Sequence, residues 1–147
     1  MFKHILVPTD GSQFSEDTAR RAVSFAKEAG ARITALYVKQ DYPASYASEG
    51  FMFDSMPPGR FATLAEEEAQ EILGFVEDLC REAHVKCSKL AYAHDTIYKA
   101  IIEAATQNDC DLIFMASHGR RGIETVLLGS ETSKVLTHSK IPVLIYR

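Results

Sequence analysis

The chain is predicted to be an α/β protein, a doubly wound open five-stranded parallel sheet in the order 3-2-1-4-5 with four helices. Two observations carry this. Short β-rich runs alternate with longer helical patterns along all 147 residues, the habit of β-α-β units on a parallel sheet. A hydrophobic share of 46% at this length gives one sizeable core and leaves no room for a second, so residues 1–147 are expected to be a single domain.

The elements follow in order. His4-Ile5-Leu6-Val7 is the first strand. Pro8-Thr9-Asp10-Gly11-Ser12 stops it and offers Ser12 or Ser15 as a helix cap, with Glu16 and Asp17 suited to the positive helix end. The first helix carries Ala19, Ala22, Val23, Ala26 and Ala29 at helical spacing, and Gly30 ends it. Residues 32–38, RITALYV, form the second strand. Between Gln40 and Gly59 runs a connection too long for an ordinary β-to-α loop, bearing Tyr42, Tyr46, Phe51, Met52, Phe53 and Met56. Two readings stay open for it: aromatics folded onto the domain, or a lid or partner surface.

The second helix places Phe61, Leu64, Ala65, Ala69, Ile72, Leu73, Val76, Leu79, Cys80 and Ala83 on one face. Residues 85–93, VKCSKLAYA, are a strand, and Asp95 can cap a helix carrying Ile97, Ala100, Ile101, Ala104 and Ala105. Leu112-Ile113-Phe114-Met115 is a buried strand. The last helix covers Ser130 to His138, and Pro142 to Tyr146 closes the chain as the fifth strand, with Pro142 at its start, where a missing N–H costs least. So apolar an edge strand needs cover, and pairing with its copy in a homodimer would supply it.

Charge and cysteine usage remove several function classes. A net charge of −4 lacks the basic field that duplex nucleic acid demands, so no nucleic-acid partner is expected. Cys80, Cys87 and Cys110 are odd in number and form no C-x-x-C pair, against a disulfide framework or a zinc site and in favour of idle thiols in a reducing cytosol. The start, MFKHILVPTDG, turns polar too soon for a signal peptide or a membrane span. A cytoplasmic, soluble protein with no membrane partner is expected.

Open parallel sheets bind ligands at the carboxyl ends of their strands, where the strand order reverses. Here that point lies between strands one and four, so Pro8, Thr9 and Asp10 face Ala116, Ser117, His118 and Gly119 across one crevice, with Val38 nearby. The stretch ASHGRRGIETVLLGSET, residues 116–132, suits a phosphate: glycines admit close N–H approach, and the following helix presents its positive end. Ser130 adds a hydroxyl, Arg120 and Arg121 add charge, and Asp10 can accept from a ribose or adenine edge or help hold a hydrated metal. Each also has a plainer role: Ser130 as a cap, the arginines as a solvated turn, Asp10 paired with the helix start. His118 lacks a second His or Cys at ligand spacing and reads as a hydrogen-bonding loop residue. The acidic pair and lysine of a receiver domain, the Walker loop and the dinucleotide G-x-G-x-x-G are all missing.

ILVPTDGSQFSEDTARRAVSFA, ITALYV and above all MASHGRRGIETVLLGSETSKVLTHSKIPVLIYR resemble the first strand and helix, the second strand and the closing nucleotide loop of the universal stress proteins. The resemblance implies an adenine nucleotide α-hydrolase-like fold and, through the signature G-x2-G-x9-G-[ST], bound ATP with Mg²⁺ or Mn²⁺ held through the phosphates. Gly119, Gly129 and Ser130 keep that register, while Ala116 stands in the first glycine place. By this resemblance Pro8, Thr9, Asp10 and Val38 line the adenosine, Ala116 and Gly119 the ribose and α-phosphate, and Gly129 and Ser130 the distal phosphates, with His118, Arg120 and Glu131 beside them. At negative φ the Ala116 methyl is harmless; in a left-handed conformation it costs ~1 kcal/mol. Glu131 turned outward suits the helix dipole, and turned inward it repels ATP unless a cation intervenes.

The function expected is an ATP-binding regulatory module of stress responses, dimeric, with protein partners still to be identified and at most slow hydrolysis, since no residue is evidently placed to activate water. The alternative is a relative that has lost ATP and works through protein contacts alone. An enzyme using His118 and Asp10 ranks last.

Overall fold

The computed structural model describes residues 1–39, 58–118 and 128–147. Their elements are β1 (His4–Pro8), α1 (Gln13–Ala29), β2 (Arg32–Lys39), α2 (Pro58–Ala83), β3 (Cys87–Ala93), α3 (Ile97–Gln107), β4 (Leu112–Ala116), α4 (Ser130–His138) and β5 (Val143–Tyr146). All strands pair in parallel, in the order β3-β2-β1-β4-β5. Fold class, strand order and helix count are those expected.

Strand alternation divides the core between the two faces of the sheet. Ile5, Val7, Ile33, Ala35, Leu112 and Phe114 pack under α1 and α2, against Ala19, Ala22, Val23, Ala26, Leu73, Val76 and Cys80. Leu6, Leu36, Ile113 and Met115 face the other way, against Ile101, Ala104 and Ala105 of α3 and Val135 of α4. Central strands buried on both faces read as continuous apolar runs, which is why β1 and β4 are so legible.

Boundaries depart from expectation where backbone groups find other partners. Ala29 is exposed, because α1 turns away from the sheet into its cap: Gly30 takes φ 68° and Ala31 N–H closes on Ala26 C=O at 2.8 Å. Val85 is not yet strand, because its N–H closes α2 on Cys80 C=O at 2.8 Å, so β3 starts at Cys87. Pro142 precedes β5 but its carbonyl still accepts from Ile113 N–H at 2.9 Å. Leu64 and Ile97 are 37% exposed, each near the start of its helix, where burial is least complete. The aromatic connection falls largely on residues 40–57, outside the described residues, while residues 58 and 59 belong to α2. Among the described residues no helix is long and apolar enough to cross a membrane.

Candidate functional site

The carboxyl ends of β1, β2 and β4 lie along one edge of the sheet, with β1 and β4 adjacent at the reversal of strand order. Pro8, Thr9 and Asp10 leave β1 there, Val38 sits at the end of β2, and Ala116 and His118 close β4. Gly129 returns to the same edge, its N–H donating to Ser117 C=O at 2.8 Å. Eight of the residues singled out from the sequence thus meet at one end of the sheet, counting Ser130 beside Gly129. Gly119 and Arg120 lie outside the described residues.

The β1 side is built by local hydrogen bonds. Thr9 N–H donates to Leu36 C=O at 2.9 Å, tying the end of β1 to β2. Asp10 Oδ1 accepts from Ser12 N–H at 2.9 Å and from the Ser15 hydroxyl at 2.8 Å. Ser12 is the cap, its Oγ accepting from Ser15 N–H at 3.2 Å, and Gly11 has φ 79°, the left-handed conformation that lets the chain turn so tightly. Of the two capping candidates Ser12 therefore caps α1, and Ser15 braces Asp10.

The β4 side depends on a close backbone approach. A Cβ on Gly129 would sit 3.0 Å from Ser117 C=O, so a side chain there forces α4 away from the strand. Gly129 is the N-cap of α4 and has no side chain to offer the first N–H groups of the helix, which have no intrahelical acceptor. Thr132, only 3% exposed, donates its hydroxyl to Ala116 C=O (3.0 Å) and Ser117 C=O (3.2 Å). These bonds hold the positive end of α4 against the end of β4.

Three residues in question have settled positions. Ala116 is in strand geometry and is not among the positive-φ residues, so its methyl carries no backbone strain. Glu131 turns toward α3: its Oε2 accepts from Tyr98 N–H at 2.9 Å and its Oε1 lies 3.6 Å from Lys134 Nζ. His118 Nδ1 is 2.8 Å from the Ser117 hydroxyl, and its ring stands edge-on to Phe14 at 6.1 Å. Asp95 does not cap α3; Thr96 is its N-cap without a side-chain bond, and Glu131 satisfies Tyr98 N–H from another helix.

Charge differs between the two sides. Toward α2, Glu16, Glu68 and Glu71 line a cleft with Thr9 and Gly11. Toward α4, the only acidic residue of the first turn is engaged with Tyr98 N–H and Lys134. An anion is therefore favoured at the β4 and α4 side.

Sequence reasoning placed Ser117 in the crevice wall but missed Thr132, Ser15 in its bracing role and Phe14. Thr132 left one signal, a β-branched polar residue in a first helical turn that faces a strand end. The others left none, because their partners are set by packing.

A model described as the universal stress protein family matches residues 1–147. Universal stress protein MJ0531 of Methanocaldococcus jannaschii is 32% identical over 148 residues, covering all of this chain and 83% of its own. Universal stress protein YxiE of Bacillus subtilis is 30% identical over 150 residues, covering both chains fully. Among solved structures, the hypothetical protein MJ0577, a structural-genomics test case for assigning biochemical function, superposes with TM-score 0.81 at 25% identity, covering 99% of this chain and 95% of its own. The same fold is seen in a universal stress protein in complex with cAMP (TM-score 0.72, 23% identity, 99% of this chain and 97% of that one). It recurs in one from Archaeoglobus fulgidus in complex with dAMP (TM-score 0.69, 16% identity, 100% and 98%).

Proposed function

Because the chain belongs to the universal stress protein family, we propose that it is an ATP-binding regulatory module of the cytoplasmic stress response, a single domain over residues 1–147 that dimerises through β5. The observation that carries the ATP reading is the junction of β4 and α4. There the Gly129 backbone lies against Ser117 and Glu131 is bonded to Tyr98 N–H, so among the described residues the first turn of α4 turns no carboxylate toward the end of β4.

In this reading the adenosine lies along Pro8, Thr9, Asp10 and Val38, the ribose and α-phosphate along Ala116 and Gly119, and the distal phosphates at Gly129 and Ser130. His118 and Arg120 flank the phosphates. The fold neighbours in complex with cAMP and dAMP make adenine nucleotides the ligand class to test first. Mg²⁺ or Mn²⁺ would arrive with the phosphates, supplying charge neutralisation; among the described residues no three His, Cys, Asp or Glu side chains converge to form a protein cage. Asp10 already braces the start of α1 through Ser12 and Ser15, which suits a positioning role better than activation of water, so hydrolysis is slow at most. ATP binding changes the surface offered to a protein partner.

Calorimetric titration with Mg-ATP tests this, with ADP, AMP and cAMP run in parallel. The wild-type protein is expected to bind, and Gly129→Val to bind at least about ten-fold more weakly, or about 1.4 kcal/mol, with its circular dichroism unchanged. Absence of heat with every nucleotide would overturn the ATP reading and leave a module that works by protein contact alone.

A further inference from the structure

Although the spacing of the three cysteines suggests idle thiols, the fold brings two of them together. Cys80 lies in the last turns of α2 and Cys87 opens β3. The chain between them reverses tightly: Val85 N–H closes on Cys80 C=O at 2.8 Å, and His84 takes φ 59° to allow it. Cys80 is completely buried in the core under α1 and α2, and Cys87, part-exposed, packs against that same cluster. The two thiols interact through their side chains, which raises the pKa of Cys80 and lowers that of Cys87, while Cys87 Sγ also donates to Ser88 C=O at 3.7 Å.

From this juxtaposition we infer that Cys80 and Cys87 form a peroxide-reactive dithiol, with Cys87 the attacking sulfur and Cys80 the resolving one, that closes reversibly to an intramolecular disulfide between α2 and β3. The oxidant is a hydroperoxide. The Cys87 thiolate attacks the peroxide oxygen, an S–O bond forms as the O–O bond breaks, and the departing hydroxide takes a proton to leave as water (or an alcohol). The Cys80 thiol then loses its proton and attacks the Cys87 sulfenic sulfur. The S–S bond forms, the S–O bond breaks, and the hydroxyl leaves with that proton as water. Two electrons pass from the sulfurs to the peroxide.

The assignment of roles rests on exposure and polarity. Only Cys87 is open to a small oxidant. The contact between the two also holds the Cys87 thiol below its ordinary value and, with burial, pushes Cys80 up. Glu77, paired with Lys89 at 3.3 Å, opposes this more than Lys89 assists it, so the contact with Cys80 sets the direction at Cys87. Cys110 sits in the opposite core, buried and pushed up to about 11 by its burial, and serves as an internal control.

The test treats the reduced full-length protein with hydrogen peroxide and follows its intact mass and tryptic peptides with and without dithiothreitol. Expected are a loss of about 2 Da, a peptide linking Cys80 to Cys87 that dithiothreitol releases, and an unmodified Cys110. Cys80→Ser should stop at a Cys87 sulfenic acid that dimedone captures, and Cys87→Ser should leave Cys80 reduced. Equal labelling of all three cysteines, or no linkage at a peroxide dose that consumes free cysteine, would overturn the assignment. Circular dichroism of both variants checks that they fold.

Discussion

Thr132 illustrates how much one hydroxyl does at this site. It is buried in the first turn of α4 and reaches two carbonyls at the end of β4. Thr132→Val keeps the shape and removes the hydroxyl from both carbonyls, while Ser117 C=O still accepts from Gly129 N–H, so it should cost about 1 kcal/mol in urea unfolding and weaken nucleotide binding along with stability. Glu131→Ala behaves differently. It removes the acceptor for Tyr98 N–H, which no local cap replaces, and is expected to cost about 1 kcal/mol while leaving Mg-ATP affinity within about two-fold; a large loss of affinity would show that Glu131 faces the ligand after all. His4 supplies a pH dependence. Burial, aided by the Arg32 charge, holds its imidazole below the ordinary value, so the folded state favours the neutral ring. Its Nε2 lies 2.7 Å from the Thr34 hydroxyl. The unfolded chain binds the proton first, so stability should fall as pH drops below about 6.5, down to the folded pKa. Denaturant midpoints between pH 5 and 8 should show that slope, and His4→Gln should flatten it.

Glycines at helix ends and helix middles predict opposite signs. Gly30 ends α1 at φ 68° with open space around its Cβ position, so Gly30→Ala should destabilise by about 1 kcal/mol through backbone strain alone. Gly74 lies in the interior of α2, also with nothing near its Cβ position, and Gly74→Ala should stabilise by about 0.5–1 kcal/mol. Thermal melts of the two variants check both. The caps also mark where sequence reading succeeds at this scale. Ser12 and Gly30 were legible because a cap and its helix are neighbours in the chain. The cap of α3 was not, because its acceptor comes from Glu131, 33 residues away, and Asp95 only looked suitable by position. Likewise β1 and β4 announced themselves as apolar runs, whereas the start of β3 was displaced by a helix closure that consumes Val85.

Across the whole molecule the two sheet edges differ. β3 carries Ser88 and Lys89, and Lys89 pairs with Glu77 at 3.3 Å, a charged edge that discourages further strands. β5, Val143–Tyr146, has no charge, and its side chains are only partly buried. If dimerisation runs through β5, light scattering should give a dimer for the wild type and a monomer for Ile145→Lys that still melts cooperatively; a wild-type monomer at tens of micromolar, well above the ~1 μM typical of modest affinity, would count against it. Taken alone, the sequence determined the alternation of elements, the strand order and the gathering of the candidate residues at one edge of the sheet, because periodicity, turn residues and parallel topology are local or statistical properties. Only the tertiary structure decided that Glu131 faces α3, that Thr132 ties α4 to β4 and that Cys80 meets Cys87. Those contacts depend on how helices pack across a sheet face, where a direction of a few degrees chooses the partner, and no spacing along the chain encodes it.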